Sequence, residues 1–265
     1  MADPHLRDAD ERAHPPGDDP MWEEAWHFEF AAADGRLGGY ARLTLRPGEG
    51  RAWWWTAIVG ADVPFVLVRE HDVAPPKPGS LEIRAPGLWA EPYCEDPFDH
   101  WSVGLEAVAV SLDDPLEAYG KERGEPVPLG LDLGWEAEAG AGVDGMARPA
   151  GYAQACSVHG DVLVGARRLA VDGSGRRWHT WGGRDWWAGP ATGEPAGVEL
   201  DGRGLVAAAG DLRPVFHAPV QVPPPRAGPA ARLARALCRG DGPDGPGGAR
   251  WAWAERLQPA SSTMG

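Results

Sequence analysis

The chain has 265 residues and a formal net charge of −14, from 39 acidic and 25 basic side chains, and it carries 14 tryptophans beside only five phenylalanines and four tyrosines. An acid excess of this size leaves no electrostatic footprint for nucleic acid or for an anionic membrane surface, and argues against both as partners. Cys94, Cys156 and Cys238 are odd in number and widely spaced, which fits reduced thiols. No stretch reaches the roughly 18–20 apolar residues of a membrane span, so a cytoplasmic protein with no integral membrane association is expected.

In chain order, residues 1–20 are polar, acidic and proline-containing, and are expected to be a disordered leader. Strand-like runs begin at Trp22 and recur at 27–31, 39–45, 52–59, 64–70, 80–85, 88–94 and 100–111, with turn signals such as Asp34-Gly35 and Pro47-Gly48 between them. In residues 39–45 one face carries Ala41, Leu43 and Leu45 and the other Tyr40, Arg42 and Thr44. Asp113-Asp114-Pro115 predicts one or two helical turns over 115–123. A second series follows at 131–137, 152–158, 161–171, 176–181, 197–201, 204–210 and 215–217, with Asp172-Gly173-Ser174-Gly175 reading as a hairpin turn. Leu233 and Leu237, four apart, predict a helical face within 229–239, and a last strand is expected over 250–257. Regularly spaced short strands predict an all-β chain of antiparallel sandwich or barrel type with few short helices. The expected units are 21–133 and 134–258, followed by a flexible tail at 259–265.

Chemistry concentrates at 179–187, His-Thr-Trp-Gly-Gly-Arg-Asp-Trp-Trp, where an imidazole, a guanidinium, a carboxylate and three indoles surround a Gly-Gly pair at a strand end. This packet reads either as proton-handling chemistry in an indole-walled cavity or as a polar knot pinning two sheets. In a second cluster, Cys94 to Trp101, Glu95 and His100 are the members expected to point inward. Along the run from Tyr152 to Val158, Tyr152 and Gln154 share a face and suit a polar lining. Glu255 shares a face with Trp251 and Trp253 on the last strand. No spacing of metal-ligand type, nucleophile elbow or phosphate-binding loop occurs, so no metal and no cofactor is expected.

Several stretches together carry a resemblance. Trp26-His27-Phe28-Glu29-Phe30, Asp34 to Tyr40, Gly87 to Glu91, Cys94-Glu95 with His100-Trp101, and above all His179-x-Trp181-Gly182-x-Arg184-Asp185-Trp186 resemble an uncharacterised actinobacterial-type branch of the AttH and carotenoid 1,2-hydratase (hydroxyneurosporene synthase) superfamily. The resemblance covers most of 22–258 and implies a tandem of two lipocalin-like antiparallel β-barrels with a ligand cavity in or between them. It implies a hydrophobic small-molecule ligand of isoprenoid, lipid or polyketide type, with non-redox hydration, isomerisation or cyclisation as the chemistry. Gly183 and Arg256 depart from the pattern. On this reading His179, Asp185, Arg184 and Glu95 are the expected catalytic residues. Trp53, Trp55, Trp181, Trp186, Tyr152, Gln154, His100 and Glu255 are the expected ligand-binding residues. The alternatives are a non-catalytic carrier of a hydrophobic ligand and a structural partner with no cavity.

Overall fold

The computed structural model describes residues 6–120, 122–139, 142–147, 150–187, 199–201, 204–207, 211–224, 230–242 and 245–258. Among these residues there are seventeen strands and three short 3-10 turns, and every strand pair is antiparallel. The expected all-β class holds. Among the described residues no helix is long and apolar enough to cross a membrane.

Eight strands close a barrel. They are β1 (Trp22–Ala32), β2 (Leu37–Arg46), β3 (Arg51–Gly60), β4 (Phe65–Val73), β7 (His100–Leu112), β8 (Glu125–Ala137), β10 (Ala150–Val164) and β11 (Arg167–Gly183). Each pairs with the next, β4 meets β7 at Phe65–Leu67, and β11 returns to β1. This is an up-and-down closed barrel of lipocalin-like kind, with no free edge around its wall. Two insertions widen it: β5 (Ile83–Ala85) and β6 (Leu88–Asp96) extend the free part of β7, and β9 (Val143–Ala147) extends β10.

The period-2 alternation of the strands divides the core in two. Trp26, Phe28 and Phe30 of β1 and Trp54 of β3 point into the barrel, where they pack with Trp101 and Trp135. Ala31, Tyr40, Trp53, Trp55, Phe65 and Leu67 point outward from β1 to β4. That outer face is covered by a second sheet of β14 (Arg213–His217), β15 (Val220–Val222), β16 (Ala231–Gly242) and β17 (Gly245–Gln258), through Val220, Val222, Leu233, Leu237 and Leu257. A two-stranded ribbon, β12 (Glu199–Asp201) and β13 (Gly204–Ala207), lies between the two in sequence. The Gly38-Gly39 pair serves both layers. A Cβ at Gly38 would stand 2.7 Å from Leu237, and one at Gly39 2.6 Å from Ile58.

Several expectations need correction. The boundary expected at 133/134 falls inside β8, and strands from both sides of it build one barrel. Residues 6–20 are not a disordered leader: Asp8–Glu11 forms a 3-10 turn, and Glu11 is buried. The hairpin expected at 172–175 is the middle of β11, because Gly173 and Gly175 admit the Ala31 and Glu29 carbonyls at about the depth a Cβ would occupy. Gly175→Ala should therefore cost about 1–3 kcal/mol in a urea titration. The helix expected in 229–239 is β16, whose long pairing with β17 overrides the local spacing. The short helix near 115–123 appears as a 3-10 turn at Pro115–Tyr119 capped by Asp114. The tail at 259–265 lies outside the described residues.

Candidate active site on the two faces of strand β1

Strand β1 reads Trp-Glu-Glu-Ala-Trp-His-Phe-Glu-Phe-Ala-Ala and is buried along its whole length. A fully buried strand with four ionisable side chains must pair each of them. Alternation sends Glu24 into the barrel and Glu23, His27 and Glu29 toward the second sheet.

The inner face holds two linked networks at one end of the barrel. Glu11 reaches in from the N-terminal segment and accepts hydrogen bonds from Arg177 (2.8 and 3.1 Å), the Trp101 indole (2.9 Å), the Tyr152 hydroxyl (2.5 Å) and the Phe98 amide (2.8 Å). Arg177 also donates to Gln154, which donates in turn to the Phe98 carbonyl. Phe98 takes a left-handed φ of 57°, and its amide and carbonyl both serve this network. Burial opposes the Arg177 cation, but its contacts with Tyr152 and Glu11 outweigh that and raise it, and burial foremost keeps the Tyr152 phenol protonated.

Beside it, Glu24 accepts from His14 Nδ1 (2.7 Å), the His14 amide and His179 Nε2 (2.8 Å). Trp26 stacks on His179 at 4.4 Å, and Trp181 stacks on His14 at 3.9 Å. Burial lowers the pKa of His179, while His14 is raised because Glu24 outweighs the burial that opposes it. The donor atoms of His14, Glu24 and His179 lie within 4.8 Å of one another, a set that could hold a divalent cation. His179 Nδ1 has no hydrogen-bond acceptor among the described residues. The bonds of His14 and His179 to Glu24 form a clasp that seats the N-terminal segment over the barrel end. His14→Ala should make that segment cleavable by trypsin at Arg12 under native conditions, while the wild type resists.

The outer face carries a different kind of chemistry. Glu23 accepts from Arg46 (2.8 Å), Trp186 (2.7 Å) and Arg42 (3.3 Å). Arg235 of β16 donates to Glu29 at 2.9 Å and to His27 Nε2 at 3.0 Å, and pairs with the half-exposed Glu255 at 2.9 Å. Burial pushes the Glu29 carboxyl up to about 8, against the pull of Arg235. Burial, and then the Arg235, Arg42 and Arg184 charges, hold His27 well below its ordinary value, so its ring is neutral at pH 7. With Nε2 accepting from Arg235, the proton of His27 sits on Nδ1, which is buried and has no partner among the described residues. A protonated carboxyl and a neutral imidazole 3.7 Å apart are the kind of pair that acid–base chemistry uses.

The residues singled out from sequence fall into three groups. His179, Trp181, Tyr152 and Gln154 belong to the inner networks. Trp53, Trp55, Trp186, Arg184 and Glu255 belong to the outer layer: Trp55 donates to His71 at 2.7 Å and meets Trp186 at 5.7 Å, and Arg184 lies 3.7 Å over the Trp186 ring. Glu95 and His100 join neither: Glu95 is exposed and bonded to Ser102, and His100 is half-buried at the start of β7. Asp185 is exposed and accepts from the Trp187 amide. His179 and Arg184 therefore do not share one cavity. Gly182, at φ 124°, lies where the chain leaves β11, and Arg184 and Trp186 pass to the opposite side. Sequence reasoning missed Glu11, His14, Glu24, Arg177, Glu29, Arg42 and Arg235. The usable signal was alternation along 22–32, which separates Glu24 from Glu23, His27 and Glu29.

The mouth at the other end of the barrel is an open depression of about 470 Å³ lined by Ala32, Leu37, Val63 and Leu169. Its rim charges include the Arg36–Asp62 pair, and it carries no imidazole.

Among solved structures, the chain is similar to CghA, with 11% identity, a TM-score of 0.36, and coverage of 94% of this chain and 64% of that one. It is likewise similar to CghA with Sch210972 (11%, TM-score 0.37, 94% and 64%) and to a putative AttH from Nitrosomonas europaea (13%, TM-score 0.38, 98% and 73%). The chain thus spans less than two thirds of the length of CghA. No curated protein matches. The family model that matches is described as a domain of unknown function, DUF7064, and it covers residues 7–192. That range takes in the Glu11–His14 segment and all eight barrel strands, and the chain belongs to the DUF7064 family.

Proposed function

We propose that the layer between the barrel wall and the second sheet binds a hydrophobic small molecule and carries out non-redox acid–base chemistry on it. The observation that supports this most is Glu29, a buried carboxyl raised to about 8 beside a neutral His27 whose Nδ1 proton has no acceptor. Glu29 is the acid: its proton adds to one carbon of an activated double bond, and Arg235 at 2.9 Å holds the carboxylate left behind. The indoles of Trp178, Trp186 and Trp253 border this layer and supply an apolar wall for the ligand. Water then adds and gives its extra proton back to Glu29 in a hydration, or a proton returns to Glu29 from a neighbouring carbon in an isomerisation. Both routes balance without a cofactor. His27 Nδ1–H donates a hydrogen bond to an acceptor on the ligand and fixes its position.

The interior of the barrel is a weaker place for the ligand. Trp26, Trp54, Trp101 and Trp135 fill it, and Glu11 closes one end.

The test is to incubate the full chain with a total lipid extract, recover the protein and identify retained molecules by mass spectrometry. Wild type and Glu29→Gln should retain the same class of apolar molecule, with hydrated or isomerised product only on the wild type. Retention of nothing, or of the same unchanged molecules by both proteins, would overturn the catalytic reading.

A further inference from the structure

Two guanidinium groups flank a single indole in the outer layer. Arg184 lies 3.7 Å from the Trp186 ring centroid and Arg42 lies 5.3 Å from it. Among the described residues no carboxylate stands within ion-pairing distance of Arg184, whose guanidinium stacks on the ring and whose charge helps to keep Glu255 ionised from farther away. The nearest acid on this indole, Glu23, is already divided among Arg42, Arg46 and the Trp186 N–H. Farther in, Arg235 divides itself between Glu29 and Glu255, and the Nδ1 proton of His27 lacks an acceptor. Arg42, Arg184 and Arg235 thus share this layer with the carboxylates of Glu23 and Glu255 and with Glu29, whose carboxyl is raised to about 8, and the layer can take a further negative charge.

We infer that the ligand of this layer is an amphipathic anion, an apolar body ending in a carboxylate or an equally acidic enol, whose charged head sits against Arg184 and Arg42 while its body lies along Trp186, Trp55 and Trp53. The electrostatics of this layer agree. Burial, and then the Arg184 charge, pull the Arg42 guanidinium down to about 10, and the same two cations help to depress His27. An anion placed between them relieves this repulsion, and a neutral hydrocarbon does not. Planar guanidinium groups also suit bidentate binding of a carboxylate. This inference rests on the outer layer being the ligand site and adds the chemical class of what fills it.

The experiment uses a matched pair of fluorescent probes on the full chain: neutral N-phenyl-1-naphthylamine and 1-anilinonaphthalene-8-sulfonate, which carries the same aromatic body with one negative charge. At low salt the anionic probe should bind at least tenfold more tightly than the neutral one. Arg184→Gln should lower affinity for the anionic probe by about tenfold, and leave the neutral probe within twofold, whereas Arg184→Lys should keep most of the preference. Arg184 is partly exposed, so these changes leave the barrel core untouched. Equal affinity for both probes, or a preference that survives Arg184→Gln, would overturn the inference and leave the hydrophobic site standing. Failure of both probes to bind would overturn the inference and the site together.

Discussion

Glu11→Ala should destabilise the protein by about 3–5 kcal/mol, because it strands the buried Arg177 guanidinium without its carboxylate. Both side chains are almost fully buried, and the same change removes the acceptor for Trp101, Tyr152 and the Phe98 amide. At roughly 2–4 °C per kcal/mol for a chain near this size, the melting temperature should fall by about 6–20 °C. Thermal unfolding followed by tryptophan fluorescence measures it directly. Pairing Glu11→Ala with Arg177→Met should recover part of the loss, since the unpaired charge goes with it. A loss below about 1 kcal/mol for Glu11→Ala would mean that the N-terminal segment is not the plug described.

Glu29→Gln should reshape the dependence of stability on pH. The Glu29 carboxyl is raised to about 8 by burial, against about 4.5 in the unfolded chain. Between those values the folded state keeps a proton that the unfolded state has lost. The associated stability is complete below pH 4.5 and is lost as pH rises through 8. Each pKa unit corresponds to about 1.36 kcal/mol, so wild type should lose up to roughly 4 kcal/mol relative to Glu29→Gln between pH 5 and 9. His27 acts in the opposite sense. Its lowered pKa gives stability present above about 6.5 and fading as pH falls, a trend that both proteins share. Urea unfolding of both proteins across this pH range checks the difference, and parallel curves would refute the raised Glu29.

The barrel wall was legible because its strands obey a strict period of two. Residues 39–45 were read as a strand with Ala41 and Leu43 on one face and Tyr40 on the other, and those faces became the interior and the outer layer. Closure was not legible, because pairing β11 with β1 joins residues about 150 apart in sequence. Glycine misled at 172–175. All four residues there favour turns, yet Gly173 and Gly175 let the β1 carbonyls approach.

The sequence singled out several members of these networks but not their arrangement. His179, Arg184, Trp186 and Glu255 were named, and in the structure they meet Glu24, the Trp186 ring, Glu23 and Arg235 respectively. Their proximity in sequence suggested proximity in space. Alternation along β11 and the turn at Gly182 instead put His179 on one side of the wall and Arg184 on the other. Glu11 and His14 carried no signal of their own: three acids beside an arginine in a polar stretch look solvated until Arg177, 166 positions on, supplies the partner.

The position of the bound ligand tests the outer-layer assignment most directly. A crystal structure of the full chain with a retained amphipathic anion should place its head group within hydrogen-bonding distance of Arg184 or Arg42 and its body against Trp186, with Glu29 and His27 facing its reactive carbons. Density for the ligand inside the barrel, among Trp26, Trp54 and Trp135, would contradict it.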